Sequence, residues 1–286
     1  MSSKRVNTIV SVATILAIGV LCASIAQAAV VPLAYYRLGD TDSGAVVGGP
    51  GADPTADIIA GQHLSKIGAP TYANSSLPGS ALAMDFGGAG KYYERVGPVT
   101  TAVDNWGVEA WVYPFSETPG DGDAGPYLNF ASVAYNGKEG AGSGTGFGLV
   151  TTNGEWLILI GQLEFHDVNA DVVPNKWTHL AAVRDSGQLA LYVDGSQVGG
   201  TTGTTPNTPI SSDFVHIGGE NIFGDRLRSF DGLIDEVRFF SFSPGQFDPA
   251  TDLLLSVVVP EPSSALVWMT CCLLAGGLVY HVRRRK

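Results

Sequence analysis

The sequence predicts an all-β fold built from two packed antiparallel sheets, and three observations carry that reading. Apolar and polar residues alternate with period two in a long series of short runs. Gly, Asp, Asn, Ser and Pro cluster between those runs. Between the two ends of the chain, no stretch shows the 3.6-residue periodicity of an amphipathic helix. With 37 Gly and 16 Pro in 286 residues, the composition suits many strands joined by tight turns. A hydrophobic share of 45% supplies a sizeable core and excludes a disordered chain. The 27 acidic against 16 basic side chains argue against nucleic acid as a partner, since that binding draws on Lys and Arg neutralising phosphates.

Strands are expected over 33–38, 81–86, 91–96, 107–113, 128–135, 147–151, 156–160, 177–184, 188–193, 214–218 and 232–240. The turn chemistry lies between them, as in Gly48-Gly49-Pro50-Gly51 and the glycine-rich 140–146. The clearest region is 177–199. There Trp177, His179, Ala181 and Val183 share one face, read as the inward one, and Asp185-Ser186-Gly187 turns the chain. Leu189, Leu191 and Val193 form the next inward row, and Asp194-Gly195 makes a second hairpin. A three-stranded meander within so many strands favours a sandwich of two sheets over a repeat array, because no fixed period is present.

The two ends read differently. Residues 1–28 carry Lys4 and Arg5, an apolar run and a terminal Ala26-Gln27-Ala28, the pattern of a secretory signal peptide cleaved after Ala28; the alternative is an uncleaved N-terminal membrane helix. Residues 265–282 contain no Asp, Glu, Lys or Arg, are long enough to cross a bilayer as a helix, and are followed by Arg283-Arg284-Arg285-Lys286. The basic end should stay in the cytoplasm, leaving the body outside as a single-pass precursor. Ahead of the span stands Pro260-Glu261-Pro262. Triplet, span and basic end in this order resemble the bacterial PEP-CTERM sorting signal. The resemblance implies an exosortase-type peptidase and the export machinery as partners, with processing near Pro260 and delivery to the cell surface or extracellular matrix. A permanent one-helix anchor in the inner membrane is the alternative.

The expected body, 29–259, keeps 10 basic and 26 acidic residues, a net charge of -16. All three cysteines fall in the end segments, at Cys22, Cys271 and Cys272, so the body has no disulfide, thiolate metal site or cysteine nucleophile.

Within the body, Tyr36-Arg37-Leu38-Gly39-Asp40, Ala81 through Gly88, Val108-Glu109-Ala110-Trp111-Val112, Trp177 through Ala181, Leu191 through Gly195 and Phe230 through Arg238 follow one another in the order of a known family. Together they resemble the laminin-G-like, concanavalin A-like jelly roll over roughly 33–243. The domain organisation is then a signal peptide (1–28), a jelly-roll domain (29–259) and a sorting tail (260–286). The resemblance implies lectins, carbohydrate-binding modules, adhesion domains and some glycosidases as relatives, and fold alone does not choose among them.

The chemistry narrows the choice. The glucanase relatives carry a Glu-x-Asp-x-x-Glu ladder, and neither Glu164 with Asp167 nor the 231–236 segment supplies a third acid at that spacing, which argues against an enzyme. His179 alternates with apolar neighbours and reads as a hydrogen-bonded core histidine. Calcium is the one cofactor considered. Asp235 alternates with Leu233, Val237 and Phe239, and a carboxylate in an apolar row must be paired or metal-bound; Asp40 with backbone carbonyls would complete the site, and an ion pair of Asp235 with Arg37 or Arg238 is the alternative. For glycan contact the candidates at loop edges are Tyr135, Asn136, Trp156, Phe223, Asp225 and Arg226, with core or rim packing as the plain alternative for Trp156 and Phe223. The expected function is an exported surface or matrix protein whose jelly roll binds a glycan or surface protein. The alternatives are a structural matrix protein without a sugar ligand and, behind it, a glycoside hydrolase.

Overall fold

The computed structural model describes residues 30–256 except 89, 125–126, 139–143, 162–163, 203–204 and 221–227. The signal segment, Pro260, Glu261, Pro262, the apolar span and Arg283, Arg284 and Arg285 lie outside the described residues. Among those described, no helix is long and apolar enough to cross a membrane.

Two eight-stranded antiparallel sheets face each other. The first runs in the order β14 (Ser196–Thr202), β13 (Gln188–Val193), β12 (Thr178–Asp185), β6 (Trp106–Pro114), β16 (Gly232–Phe242), β4 (Leu82–Asp85), β3 (Thr71–Asn74). β16 is long enough to pair with β6 along one side and with β4 and β1 (Val30–Tyr36) in succession along the other. The second runs β11 (Glu164–Asp171), β10 (Glu155–Ile160), β9 (Thr145–Thr152), β8 (Tyr127–Lys138), β15 (Phe214–Ile217), β5 (Tyr92–Val96), β2 (Ser65–Ile67), with β7 (Gly122–Ala124) against β8. A single helical turn, α1 (Pro249–Asp252), follows; the Asp248 side chain accepts from the Ala250 N–H at its start.

The expected meander is present as β12, β13 and β14. Its turns carry positive φ at both central residues, 52° and 83° at Ser186 and Gly187, and 49° and 77° at Asp194 and Gly195. That is the geometry whose twist matches the flanking strands. Between the sheets, Trp106 of β6 stacks on Phe147 of β9 with ring centroids 3.6 Å apart, and Tyr36, Phe86, Tyr93, Trp156 and Phe239 fill the layer around them. Among the described residues, the strands and their hydrophobic core lie within 30–255, so this stretch is the folding unit.

One inward assignment and one shared face are reversed. In β12 it is Leu180 and Ala182 that meet the core, with Leu189 and Leu191 of β13, while His179, Ala181 and Val183 face away from the second sheet. Both rows are apolar because both are covered. The residues after β16, 243–255, fold back as a strap over part of the outer face, and Phe247 and Leu253 pack there against Ala181, Val183, Tyr192, Phe240 and Phe242. Alternation shows that two rows exist and does not say which one the opposite sheet shelters. Asp235 likewise does not share its face with Val237 and Phe239. Glu236 sits at φ 51° in a bulge between Asp235 and Arg238, which leaves Asp235 opposite outward-facing Trp111 and turns Val237 and Phe239 into the core.

Candidate functional site

The outward side chains of β6 are Glu109, Trp111 and Tyr113, since Val108, Ala110 and Val112 fill the core. The strap covers this face at Glu109 and stops at Trp111. The Glu109 carboxylate accepts from Arg238 Nε and from the Leu254 N–H, and lies 2.9 Å from His179 Nε2, while Trp111 Nε1 donates to the Leu254 carbonyl. Burial alone would raise the Glu109 carboxyl, but the Arg238 charge and the His179 contact outweigh it and hold the group below its ordinary range. His179 is thus the hydrogen-bonded histidine its neighbours predict.

Beyond Trp111 the same face is open and aromatic. Across the sheet, Tyr113 stands opposite Leu233, and Leu233 opposite Asp85. Trp177, just ahead of β12, brings its ring to 5.6 Å from Tyr113, and Phe115, just past β6, brings its ring to 6.2 Å from Tyr113 on an edge. Trp177 Nε1 donates to Ser76 Oγ at 3.0 Å, which fixes the indole while leaving it partly exposed. Phe115 is 38% exposed.

The rim of this platform is charged, and Gly87 is the reason the groups fit together. A Cβ at that position would come within 2.9 Å of Phe115 Cε2, 2.9 Å of Asp85 Oδ1 and 3.3 Å of Asp231 Oδ1, so only a bare backbone admits all three. The Phe115 N–H donates to the Asp231 carbonyl, the Gly87 N–H to Asp85 Oδ1, and Lys91 Nζ to the Gly87 carbonyl. Aromatic faces beside two carboxylates and an ammonium offer an amphipathic ligand apolar contact and hydroxyl partners at once.

The residues expected to contact glycan fall elsewhere. Tyr135 and Asn136 of β8 and Trp156 of β10 are buried, at 0%, 0% and 1% exposure, which corrects their placement at exposed loop edges. Trp156 belongs to the layer between the sheets, and Asn136 Oδ1 accepts from the Val99 and Thr100 N–H groups, pinning the segment after β5. Tyr135 lies on the outer face of the second sheet, stacked on His216 at 5.5 Å with its hydroxyl donating to the Thr145 carbonyl. His216 Nε2 is 3.2 Å from Ser132 Oγ and 3.4 Å from Glu220 Oε2, and Glu220 pairs with Arg228 at 2.6 Å. Serine and carboxylate thus approach the same ring nitrogen. Phe223, Asp225 and Arg226 lie outside the described residues.

Asp40 and Asp235 do come together at one end of the first sheet. Ser80 Oγ donates to Asp235 Oδ2 at 2.6 Å, and the neighbouring Ala81 and Leu82 N–H groups donate to Asp40. Arg37, however, pairs with Asp40 at 2.7 Å and with Glu236 at 3.0 Å, and Arg238 pairs with Glu109, so neither arginine neutralises Asp235. Burial first, and the adjacent Glu236 second, push the Asp235 carboxyl well above its ordinary range, and it holds a proton where an exposed aspartate would not. This donor set as arranged does not fit calcium, because a cation here would have to turn Arg37 out. Among the described residues no group of three or more His, Cys, Asp or Glu is placed to hold a metal.

A family model described as the concanavalin A-like lectin/glucanases superfamily matches residues 87–244, more than half of the chain. The chain belongs to this superfamily. No curated protein sequence matches significantly. Among solved structures, this lectin/glucanase-type sandwich is similar to domain 4 of the extracellular GH43 arabinanase AbnA from Geobacillus stearothermophilus, determined with arabinotriose. The TM-score is 0.58 at 17% identity, over 79% of this chain and 98% of that one. It is also similar to Trypanosoma rangeli sialidase with sialic acid, at TM-score 0.53 and 18% identity over 80% of this chain, which spans only 33% of the sialidase. At these identities the likeness is one of fold.

The platform has a signal in the sequence: Trp111, Tyr113 and Phe115 recur with period two along β6 and just past it, and Trp177 stands just ahead of the neighbouring strand. The inward facing expected of Trp177 is reversed with the rest of its row.

Proposed function

We propose that the protein is an exported surface or matrix component that binds a neutral polysaccharide through the open platform of Trp177, Tyr113 and Phe115. The observation that carries this is the exposed aromatic cluster with Asp85, Asp231 and Lys91 on its rim. Membership of a superfamily that includes lectins supports it. So does the arabinotriose held by the arabinanase domain of similar fold, a property of that protein. The net charge of -16 on 29–259 disfavours a polyanion. Export and sorting rest on the sequence of the two ends: a signal peptide, then a PEP-CTERM-like tail for an exosortase-type peptidase.

The test is a panel of soluble arabinan, xylan, laminarin and barley glucan offered to residues 29–259, in calcium and in chelator. Binding that falls about tenfold or more in Trp177→Ala supports the platform, as expected of an aromatic anchor. Folded protein that binds none of them moves the reading to a structural component without a sugar ligand, and release of reducing sugar would replace it with a hydrolase. Loss in chelator would show that binding needs a divalent ion.

A further inference from the structure

The outer face of the first sheet carries a second concavity, at the far end of β12 from Trp177. It is a hollow of about 390 Å³ floored by Val183 and Ala190, walled by Tyr192 and Phe247, and edged by Gln188 and Gln197. Its origin is local. Ala190 and Gly200 pair across β13 and β14, so neither strand projects a bulky side chain there. A Cβ on Gly200 would come within 2.7 Å of the Gln197 amide nitrogen and 3.0 Å of the Leu189 carbonyl. The strap supplies the remaining wall, with the Phe247 ring 5.8 Å from that of Tyr192.

We propose that this hollow is a second subsite for one neutral sugar ring of the polysaccharide strand that crosses the platform, a proposal that rests on the platform reading. Its volume lies at the lower end of the range for small-ligand sites, and it combines an apolar wall with a few hydrogen-bonding groups. The Gln188 and Gln197 side chains are exposed and bring uncharged amides to the edge, where Gln188 bonds Thr202 and Gln197 Nε2 donates to the Gly199 carbonyl, each amide keeping further capacity for a ligand. Asp185, which accepts from the Gly245 N–H, is the one ionised group on the lining and repels an anionic sugar. Trp177 and Val183 lie six positions apart beside and along β12, so the two contacts are separated by about 20 Å, with the strap lying over His179 and Ala181 between them and the polysaccharide strand crossing its outer side. A short oligosaccharide on the platform does not reach the hollow, whereas a polymer engages both, and the second contact acts through effective concentration.

The experiment compares Gly200→Val, Tyr192→Ala and Trp177→Ala in residues 29–259, titrated with arabinan, xylan, laminarin and barley glucan and with the trisaccharide of each. Gly200→Val fills the hollow from an exposed strand; its Cβ pushes the flexible Gln197 amide aside and crowds the Leu189 carbonyl, so its melting temperature is matched to wild type before titration, and it keeps the test falsifiable if Tyr192→Ala unfolds. The expected result is roughly tenfold weaker polymer binding in both hollow variants, with trisaccharide binding unchanged. Polymer affinity equal to wild type in Gly200→Val, with Trp177→Ala still defective, overturns the second subsite and leaves the platform standing. An equal loss for trisaccharide and polymer also overturns it, because the hollow is then not separate. Wild-type protein that binds none of the polymers sinks both readings together.

Discussion

One sheet face serves two purposes in this molecule, and the dividing line runs along the row His179, Trp111 and Asp235. On one side, Glu109, Arg238, Ala181, Phe240 and Phe242 lie under the strap; on the other, Tyr113, Trp177 and Phe115 stay open. Both halves are rich in aromatic residues. What differs is how polar groups are handled. Under the strap a carboxylate must be matched by Arg238, His179 and a backbone N–H because water cannot reach it. On the open side Asp85, Asp231 and Lys91 stay partly exposed, so they remain available to a ligand. Apolar surface alone does not mark a binding face; apolar surface beside accessible charge does.

The sharpest break of this contrast is Glu109→Ala, which leaves the buried Arg238 charge without a carboxylate, held only by the Asp252 carbonyl and the Phe240 ring. It is expected to cost about 3–5 kcal/mol of stability at neutral pH, read by urea unfolding. The Glu109 carboxyl is held below its ordinary value of 4.5, so its contribution is present above that value and is lost as pH falls through the folded-state pKa. The gap between wild type and Glu109→Gln should therefore narrow in acid. Phe247→Ala is the next largest, about 2 kcal/mol, since a half-buried ring leaves the strap. It should leave trisaccharide binding at the platform unchanged; a parallel loss there would mean that the two halves are not independent. Trp177→Ala should lower stability by only about 1 kcal/mol, a single partly exposed ring and one hydrogen bond, while removing most polysaccharide binding.

The smallest effect lies on the boundary row. Asp235 has a folded-state pKa raised by burial and by Glu236, so its contribution is whole below the ordinary 3.8 and declines as pH rises toward the folded value. Asp235→Asn should match wild type in acid and become the more stable protein as pH rises, by thermal melts in chelator. If calcium reverses that order, the aspartate is a ligand after all.

Much of the architecture was legible. Period-two runs and turn chemistry at Ser186-Gly187 and Asp194-Gly195 locate β12 to β14 to within a residue or two, because hairpin geometry is a local property. The facing of those rows was not. His179, Ala181 and Val183 are apolar in context because the strap shelters them, and a strap with one helical turn and mixed composition leaves no periodic trace. Bulges hide in the same way: nothing in the string Ile234-Asp235-Glu236-Val237 announces that Glu236 takes a left-handed φ and flips the rows after it. For the site, the residue types expected were aromatic and acidic. Tyr135, Asn136 and Trp156 are buried, because loop proximity does not measure exposure, whereas Trp111, Tyr113 and Phe115 are marked by their spacing.

The strap also sets how the domain bears tension. A pull on the chain beyond Ser256 arrives first at Leu254, where hydrogen bonds to Glu109 and Trp111 are loaded one after another rather than together. Such an attachment peels, while sheet strands pulled along their length must break many bonds at once. Residues 243–255 should come away first and pay out roughly 45 Å of slack at about 3.5 Å per residue before either sheet yields. Force spectroscopy would show this as a small early step ahead of the main unfolding event, the behaviour of a shock absorber.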